Sequence, residues 1–206
     1  MIRVGLMGTI GAGKEAVAHL LSVMLAAYSP IKGKRCKVRH IQEFSVLWTD
    51  KTGGTDEVFE QFYIWYRQKQ WDHDYDSRIN DGLAFIIHSA PAPLAYFYTL
   101  FFADIHNPKH RWLLEDLYGK AMNEILKYDV VFYLPAEFPV PEGDRLRKRK
   151  IRISVDRAIH AFLVNHKIQF MELRGSREKR SRKAFLTLKA LLKKKLSESG
   201  SCHPLG

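Results

Sequence analysis

Gly8, Gly13 and Lys14 fall on the spacing G-x-x-x-x-G-K within the opening residues MIRVGLMGTIGAGKE. Three glycines let the backbone N–H groups of Gly8, Thr9, Ile10, Gly11, Ala12 and Gly13 turn inward around a phosphate. A helix N-terminus behind the turn adds partial positive charge, and Lys14 reaches the outer phosphates. The motif then asks for Ser or Thr, whose hydroxyl sits on Mg²⁺, but this chain has Glu15. Glu15 has three readings. Its carboxylate replaces the hydroxyl as an oxygen ligand to Mg²⁺, it points away while water fills the position, or the loop binds nucleotide and turns over poorly. A carboxylate beside phosphates is repulsive without a metal between them, which favours the first. The alternative to the whole motif is a tight turn at the first strand of another α/β fold.

The elements around the loop support the motif. Ile2–Met7 is an apolar run suited to a buried parallel strand, and Glu15–Ala27 has apolar residues at helical spacing. Further strand-like runs are Cys36–Ile41, Leu83–His88, Val130–Leu134 and Ile168–Leu173. Helical patterns fall near 14–27, 56–70, 92–103, 111–127, 151–166 and 177–196. Alternating β and α elements predict an α/β fold, a five-stranded parallel sheet with helices on both faces. Ligands of such sheets bind at the carboxyl ends of the strands. Those ends are Gly8–Lys14, Gln42–Phe44, His88–Pro91, Pro135–Arg152 and Arg174–Arg180. Residues 1–196 read as one domain and 197–206 as a flexible tail.

Composition narrows the class. The 206 residues are 46% hydrophobic, enough for a full core. Only Cys36 and Cys202 occur, which excludes a disulfide framework and a zinc pattern. The apolar runs are too short for a membrane span, and the chain enters a strand at once, with no signal peptide expected. A cytoplasmic protein is the expectation. The net charge of +11 is uneven. Residues 145–195 hold 18 Lys/Arg against Asp156, Glu172 and Glu178, and the remaining residues carry a small acidic excess. Such a segment suits a polyanionic partner such as nucleic acid, or it is a solvated helix face.

Several other residues carry possible chemistry. In LAFIIHSAPAPLAYFY, residues 83–98, a strand runs into Ser89, Ala90 and Pro91. His88 at its end suits a general base, since free imidazole titrates near neutrality, or it is a structural histidine. Asp81 is another carboxylate there, and Asp72, Asp74 and Asp76 form an acidic stretch with His73. Phe59, Phe62, Tyr63, Trp65 and Tyr66 crowd one segment and suit base stacking or core packing. Six of the eight residues 145–152 are Lys or Arg. The helix from Arg177 sets Ala184, Leu188 and Leu191 on an apolar face opposite its lysines and arginines.

Taken in order, the loop, the strand ending at Ser89, the segment DVVFYLP with its basic continuation, and the turn Arg174-Gly175-Ser176 resemble the P-loop nucleoside and nucleotide kinases. The likeness is to the thymidylate-kinase and ribosylnicotinamide-kinase-like group. It implies a P-loop kinase fold with a basic lid near 136–152. In that group an Asp commonly ends the third strand and helps hold the metal or accepts a proton from the substrate hydroxyl, and Ser89, with His88 beside it, occupies the matching position here. Lid arginines close over the transferring phosphate, where charge spreads over the phosphoryl oxygens. Arg145 and Arg149 are the leading candidates, then Arg152. Gly175, Ser176 and Arg180 would lie beside the adenine. ATP and Mg²⁺ are the implied cofactors.

The expected activity is phosphate transfer from ATP to a hydroxyl of a nucleoside-like acceptor, with Lys14, His88, Arg145, Arg149 and Arg152 as catalytic groups. The basic segment favours an acceptor carried in nucleic acid, such as a hydroxymethylated pyrimidine in DNA of the kind met in viral base hypermodification. A polynucleotide end is another such acceptor. The alternatives are a free nucleoside or nucleoside monophosphate kinase and a nucleotide-binding switch with little turnover.

Overall fold

The computed structural model describes residues 1–31, 34–42, 44, 58–76, 83–89, 93–138 and 145–200, with the side chains of 75–76, 145–148 and 199–200 left aside. Five parallel strands form one sheet in the order β2-β3-β1-β4-β5. They are β1 (Ile2–Met7), β2 (Lys37–Ile41), β3 (Ala84–His88), β4 (Val130–Tyr133) and β5 (Phe170–Glu172). The helices are α1 (Lys14–Ala27), α2 (Val58–Asp76), α3 (Leu94–Phe102), α4 (Pro108–Ile125), α5 (Arg145–Asn165) and α6 (Arg177–Gly200). This is the expected α/β architecture, and α6 continues past Ser197, where the tail was expected to begin.

β1 lies at the centre, covered on both sides, so its residues are apolar on both faces. On one face Val4 and Leu6 meet Phe85, Ile87 and Phe132 beneath α1 and α6, which contribute Leu21, Leu25, Ala184 and Leu188. On the other, Met7, Val131 and Tyr133 pack against Phe97 of α3, Ile125 of α4 and Val155, Ile159 and Leu163 of α5. Each buried side chain of this size contributes roughly 1.5–3 kcal/mol. The register pairs Gly5 with His88, so His88 lies on the α3–α5 face, and the next residue, Ser89, turns to the α1 face.

Helix starts follow local chemistry. Asn107 accepts from the Lys109 N–H at 3.0 Å, and Pro108 occupies the first helical position of α4. α1 has no side-chain cap: Gly13, at φ 85° and ψ 21°, precedes it. Its first N–H groups therefore face the glycine turn without a capping side chain. The basic run 145–152 forms the first two turns of the 21-residue helix α5. Among the described residues no helix is long and apolar enough to cross a membrane.

Candidate functional site

The loop between β1 and α1 is built for close approach. A Cβ on Gly8 would stand 2.6 Å from the Leu134 carbonyl oxygen, which forces glycine there. Gly11 and Gly13 have φ of 70° and 85°, in the left-handed region. The Ala12 N–H donates to the Thr9 carbonyl at 3.2 Å and closes the turn. Lys14 is buried, its Nζ donating to the Thr9 carbonyl at 3.1 Å. The Ile10 N–H donates to the Tyr98 hydroxyl at 2.8 Å, tying the loop to α3.

Glu15 meets groups from the ends of β2 and β3. The Ser89 hydroxyl donates to one Glu15 carboxylate oxygen. His40, near the end of β2, brings Nε2 to 3.2 Å from the other. This approach is not a hydrogen bond. The two departures from the expected motif thus touch. A hydroxyl and a carboxylate are both present, with Glu15 on the loop helix and Ser89 just after β3. The loop motif gives no hint of His40, although its place near the carboxyl end of a parallel strand was an available signal.

Of the three arginines expected in a lid, Arg152 turns inward. Its guanidinium carbon lies 3.9 Å from where a Cβ on Gly11 would stand. The residue is 6% exposed, and its Nε and Nη2 have no hydrogen-bond partner among the described residues. Burial pulls it below the usual arginine value, and the nearby Asp156 offsets part of this. Arg149 is exposed, and the Arg145 side chain lies outside the described residues. The phase of α5 explains the difference: Ile151, Val155 and Ile159 face the core, and Arg152 shares their side.

The C-terminal residues make a protein-internal cluster. Gly175, at φ 89°, donates its N–H to Glu137 Oε2 at 2.9 Å. Ser176 accepts from the Lys179 N–H at 3.3 Å. Arg180 is fully buried and donates to the Ala12 carbonyl and to Glu137. Its Nη1 and Nη2 are committed to protein groups, while its buried Nε has no hydrogen-bond partner among the described residues. The exposed ring over it is Phe138, 4.6 Å away and 3.7 Å from a Cβ position on Gly13.

His88 is buried, with Nδ1 3.3 Å from Asp72 Oδ1 and its ring against Tyr128. Asp72 accepts from Gln68 at 3.3 Å, whereas neither His88 ring nitrogen has a hydrogen-bond partner among the described residues. This polar cluster stands on the opposite side of β3 from Glu15 and Ser89. His73 and Asp74 are exposed. Phe62 and Trp65 stack together under the Lys120 ammonium, whereas Phe59, Tyr63 and Tyr66 are exposed. Asp81, Ala90, Pro91 and the lid turn 139–144 lie outside the described residues. Among the described residues no group of three His, Cys, Asp or Glu side chains is arranged to hold a metal ion.

A family model described as an AAA domain, AAA_28, matches residues 3–180. The chain belongs to this family. No curated protein matches the sequence. Similar solved structures include NadR in complex with NR, at 10% identity and TM-score 0.61 over 85% of this chain and 46% of that one. Deoxyadenosine kinase from M. mycoides gives 13% identity and TM-score 0.56 over 96% and 100%. Thymidylate kinase from Candida albicans gives 14% and 0.62 over 92% and 91%. The chain spans less than half of the NadR chain. Its fold is that of the P-loop nucleoside and nucleotide kinases.

Proposed function

We propose that this AAA_28 protein is an ATP-dependent phosphotransferase acting on a hydroxyl of a nucleoside-like acceptor. The observation that carries the reading is the pairing of the glycine loop with Arg152. Buried guanidinium nitrogens without a hydrogen-bond partner are costly, and Arg152 Nε and Nη2 have none among the described residues, beside the glycine loop. An anionic ligand seated there satisfies both.

In this reading the loop amides and Lys14 hold the nucleotide phosphates. Arg152 stabilises the charge that develops on the transferring phosphoryl oxygens, without reorganisation at the moment of transfer. Arg145 and Arg149, earlier on the same helix, are candidates to join it when the phosphate is bound. Phe138 offers a ring beside the loop for the nucleotide base, backed by the Arg180 guanidinium. Gly175 and Ser176 border that place.

The Glu15 carboxylate and Ser89 hydroxyl are hard oxygen donors of the kind Mg²⁺ takes, and Glu15 remains 40% exposed. They would hold the ion. Bound Mg²⁺ neutralises phosphate charge and orients the phosphoryl group. His88, across β3 from this pair and packed on Asp72 and Tyr128, is given no proton transfer in this proposal.

A free nucleoside or nucleotide is the simpler acceptor, since the two solved kinases of this fold described above are named for such compounds. An acceptor carried in nucleic acid is the second reading. It draws on exposed Arg177, Lys179, Arg182, Lys193 and Lys194 along α6. The test offers γ-labelled ATP with free nucleosides, nucleoside monophosphates and duplex DNA side by side. Transfer that disappears in Lys14→Ala supports the kinase. ATP binding without transfer to any acceptor would leave a nucleotide-dependent switch in its place.

A further inference from the structure

Arg180 heads the fully buried side chains by size among the described residues. Its Nη1 donates to the Ala12 carbonyl at 2.7 Å, across 168 positions of sequence. Its Nη2 donates to Glu137 Oε2 at 2.7 Å. The Ala12 carbonyl belongs to the peptide unit that also carries the Gly13 N–H. In a planar trans peptide the two groups point in opposite directions. Drawing the carbonyl toward Arg180 therefore turns the Gly13 N–H the other way. Gly13 itself has the left-handed backbone that such a turn requires.

Glu137 is the ion-pair partner of Arg180. Besides Arg180, its carboxylate accepts from the Gly175 N–H at 2.9 Å and from Arg174 Nη1 at 2.9 Å. These bonds hold its carboxyl below the ordinary value despite the opposing effect of burial. Glu137 follows β4 at the root of the lid segment. One carboxylate thus joins the lid root, the β5–α6 turn and, through Arg180, the phosphate loop. Stability alone does not call for this arrangement. A buried ion pair is often replaceable by apolar side chains of similar volume without loss.

We propose that Arg180, seated by Glu137, is a positioning residue for phosphate binding: it aims the Gly13 N–H by holding the Ala12 carbonyl. The inference deepens the nucleotide-binding reading above and rests on it. It assigns Arg180 to the loop backbone rather than to the nucleotide base. The lid root and the loop then behave as one unit, because loss of Glu137 reaches the loop through Arg180.

The test measures ADP and inorganic pyrophosphate binding by calorimetry, with melting temperature followed in parallel. The variants are Arg180→Lys, Arg180→Met, Glu137→Gln and the Arg180→Met/Glu137→Gln double. Arg180→Met is expected to weaken both ligands about tenfold, the worth of one hydrogen bond to a charged group. Arg180→Lys, which keeps one donor, recovers part of the loss. Glu137→Gln weakens both ligands by a smaller factor, and the double variant is no worse than Arg180→Met alone. Affinities that stay at the wild-type value while only the melting temperature moves would overturn the inference. So would a loss for ADP with pyrophosphate untouched, since Arg180 would then read the base. If Arg180→Met does not fold, the partly exposed Glu137 decides through its own variant. Wild-type protein that binds neither ligand overturns the nucleotide reading itself, and this inference with it. Wild-type binding with unaffected variants overturns this inference alone.

Discussion

The Ser89 hydroxyl, just after β3, donates to the Glu15 carboxylate in the first turn of α1, 74 positions away in sequence. A motif of this type has its hydroxyl on the loop helix, and kinases of this group have their carboxylate at the end of the third strand. Here the two groups have changed places and meet. A hydroxyl and a carboxylate are therefore both present, in the reverse order.

The exchange makes a double-mutant prediction. Ser89→Asp alone sets two carboxylates against each other, so ADP affinity without Mg²⁺ should fall by about tenfold or more. Glu15→Thr alone leaves two hydroxyls and should weaken the Mg²⁺ dependence of binding. The double variant Glu15→Thr/Ser89→Asp restores one hydroxyl and one carboxylate. It should bind ADP with Mg²⁺ close to the wild type, a coupling of about 0.5–3 kcal/mol. Calorimetry with and without Mg²⁺ checks this, and strictly additive losses would dismiss the exchanged pair.

Arg152 should give effects of opposite sign on stability and on binding. Arg152→Met removes a buried charge whose Nε and Nη2 lack hydrogen-bond partners among the described residues. Losing those unsatisfied buried donors should stabilise the ligand-free protein by about 1 kcal/mol, read as a melting temperature higher by about 2–4 °C. Nucleotide affinity should drop about tenfold to a hundredfold, the range for a hydrogen bond to a charged group. Arg149→Met, at an exposed position on the same helix, should leave the ligand-free melting temperature unchanged. A destabilised ligand-free Arg152→Met protein would mean that the guanidinium is already satisfied by the fold.

These contrasts show where the sequence was readable. The strands and the loop were legible because apolar runs, helical spacing and the Gly8–Gly13–Lys14 pattern are all local. Glu15 and Ser89 were legible as two oddities but not as a contact, since parallel crossovers set their distance. Six of the residues 145–152 looked alike as cations. The helix phase, fixed by burial of Ile151, Val155 and Ile159, turned Arg152 to the loop and left Arg149 in water. Arg180 carried no signal that it would be swallowed. Its partners Ala12 and Glu137 lie 168 and 43 positions away, and charged residues are seldom fully buried unless paired.

Acid should reach the loop through Glu137. Its carboxyl is held below the ordinary value of 4.5, with the lowering due to Gly175, Arg180 and Arg174. The group therefore contributes stability that is fully present above 4.5 and is lost as pH falls through the folded value. Arg174 and Arg180 are the cations facing it. Glu137→Gln has no carboxylate to protonate. Its melting temperature should lie below that of the wild type at neutral pH, and the gap should narrow as pH drops under 4.5. A gap that stays constant from neutral pH to well below 4.5 would show that the charge of Glu137 adds nothing.

The exposed cations of α6 separate the two acceptor readings. Arg177, Lys179, Arg182, Lys193 and Lys194 lie in water along one helix, away from the buried face built on Ala184, Leu188 and Leu192. If they neutralise nucleic acid phosphates, each pairing releases condensed counterions, and binding falls steeply with salt. Three such pairings would give a log–log slope of about −2.7 on duplex DNA. Replacing Arg182, Lys193 and Lys194 together by Gln should then flatten the slope in proportion to the phosphates left without a cation. Transfer to a free nucleoside should stay at the wild-type rate, since none of the three lies at the loop. Duplex binding with no salt dependence, or a triple variant with an unchanged slope, would return the helix to a solvated surface. The free nucleoside or nucleotide would then stand as the acceptor.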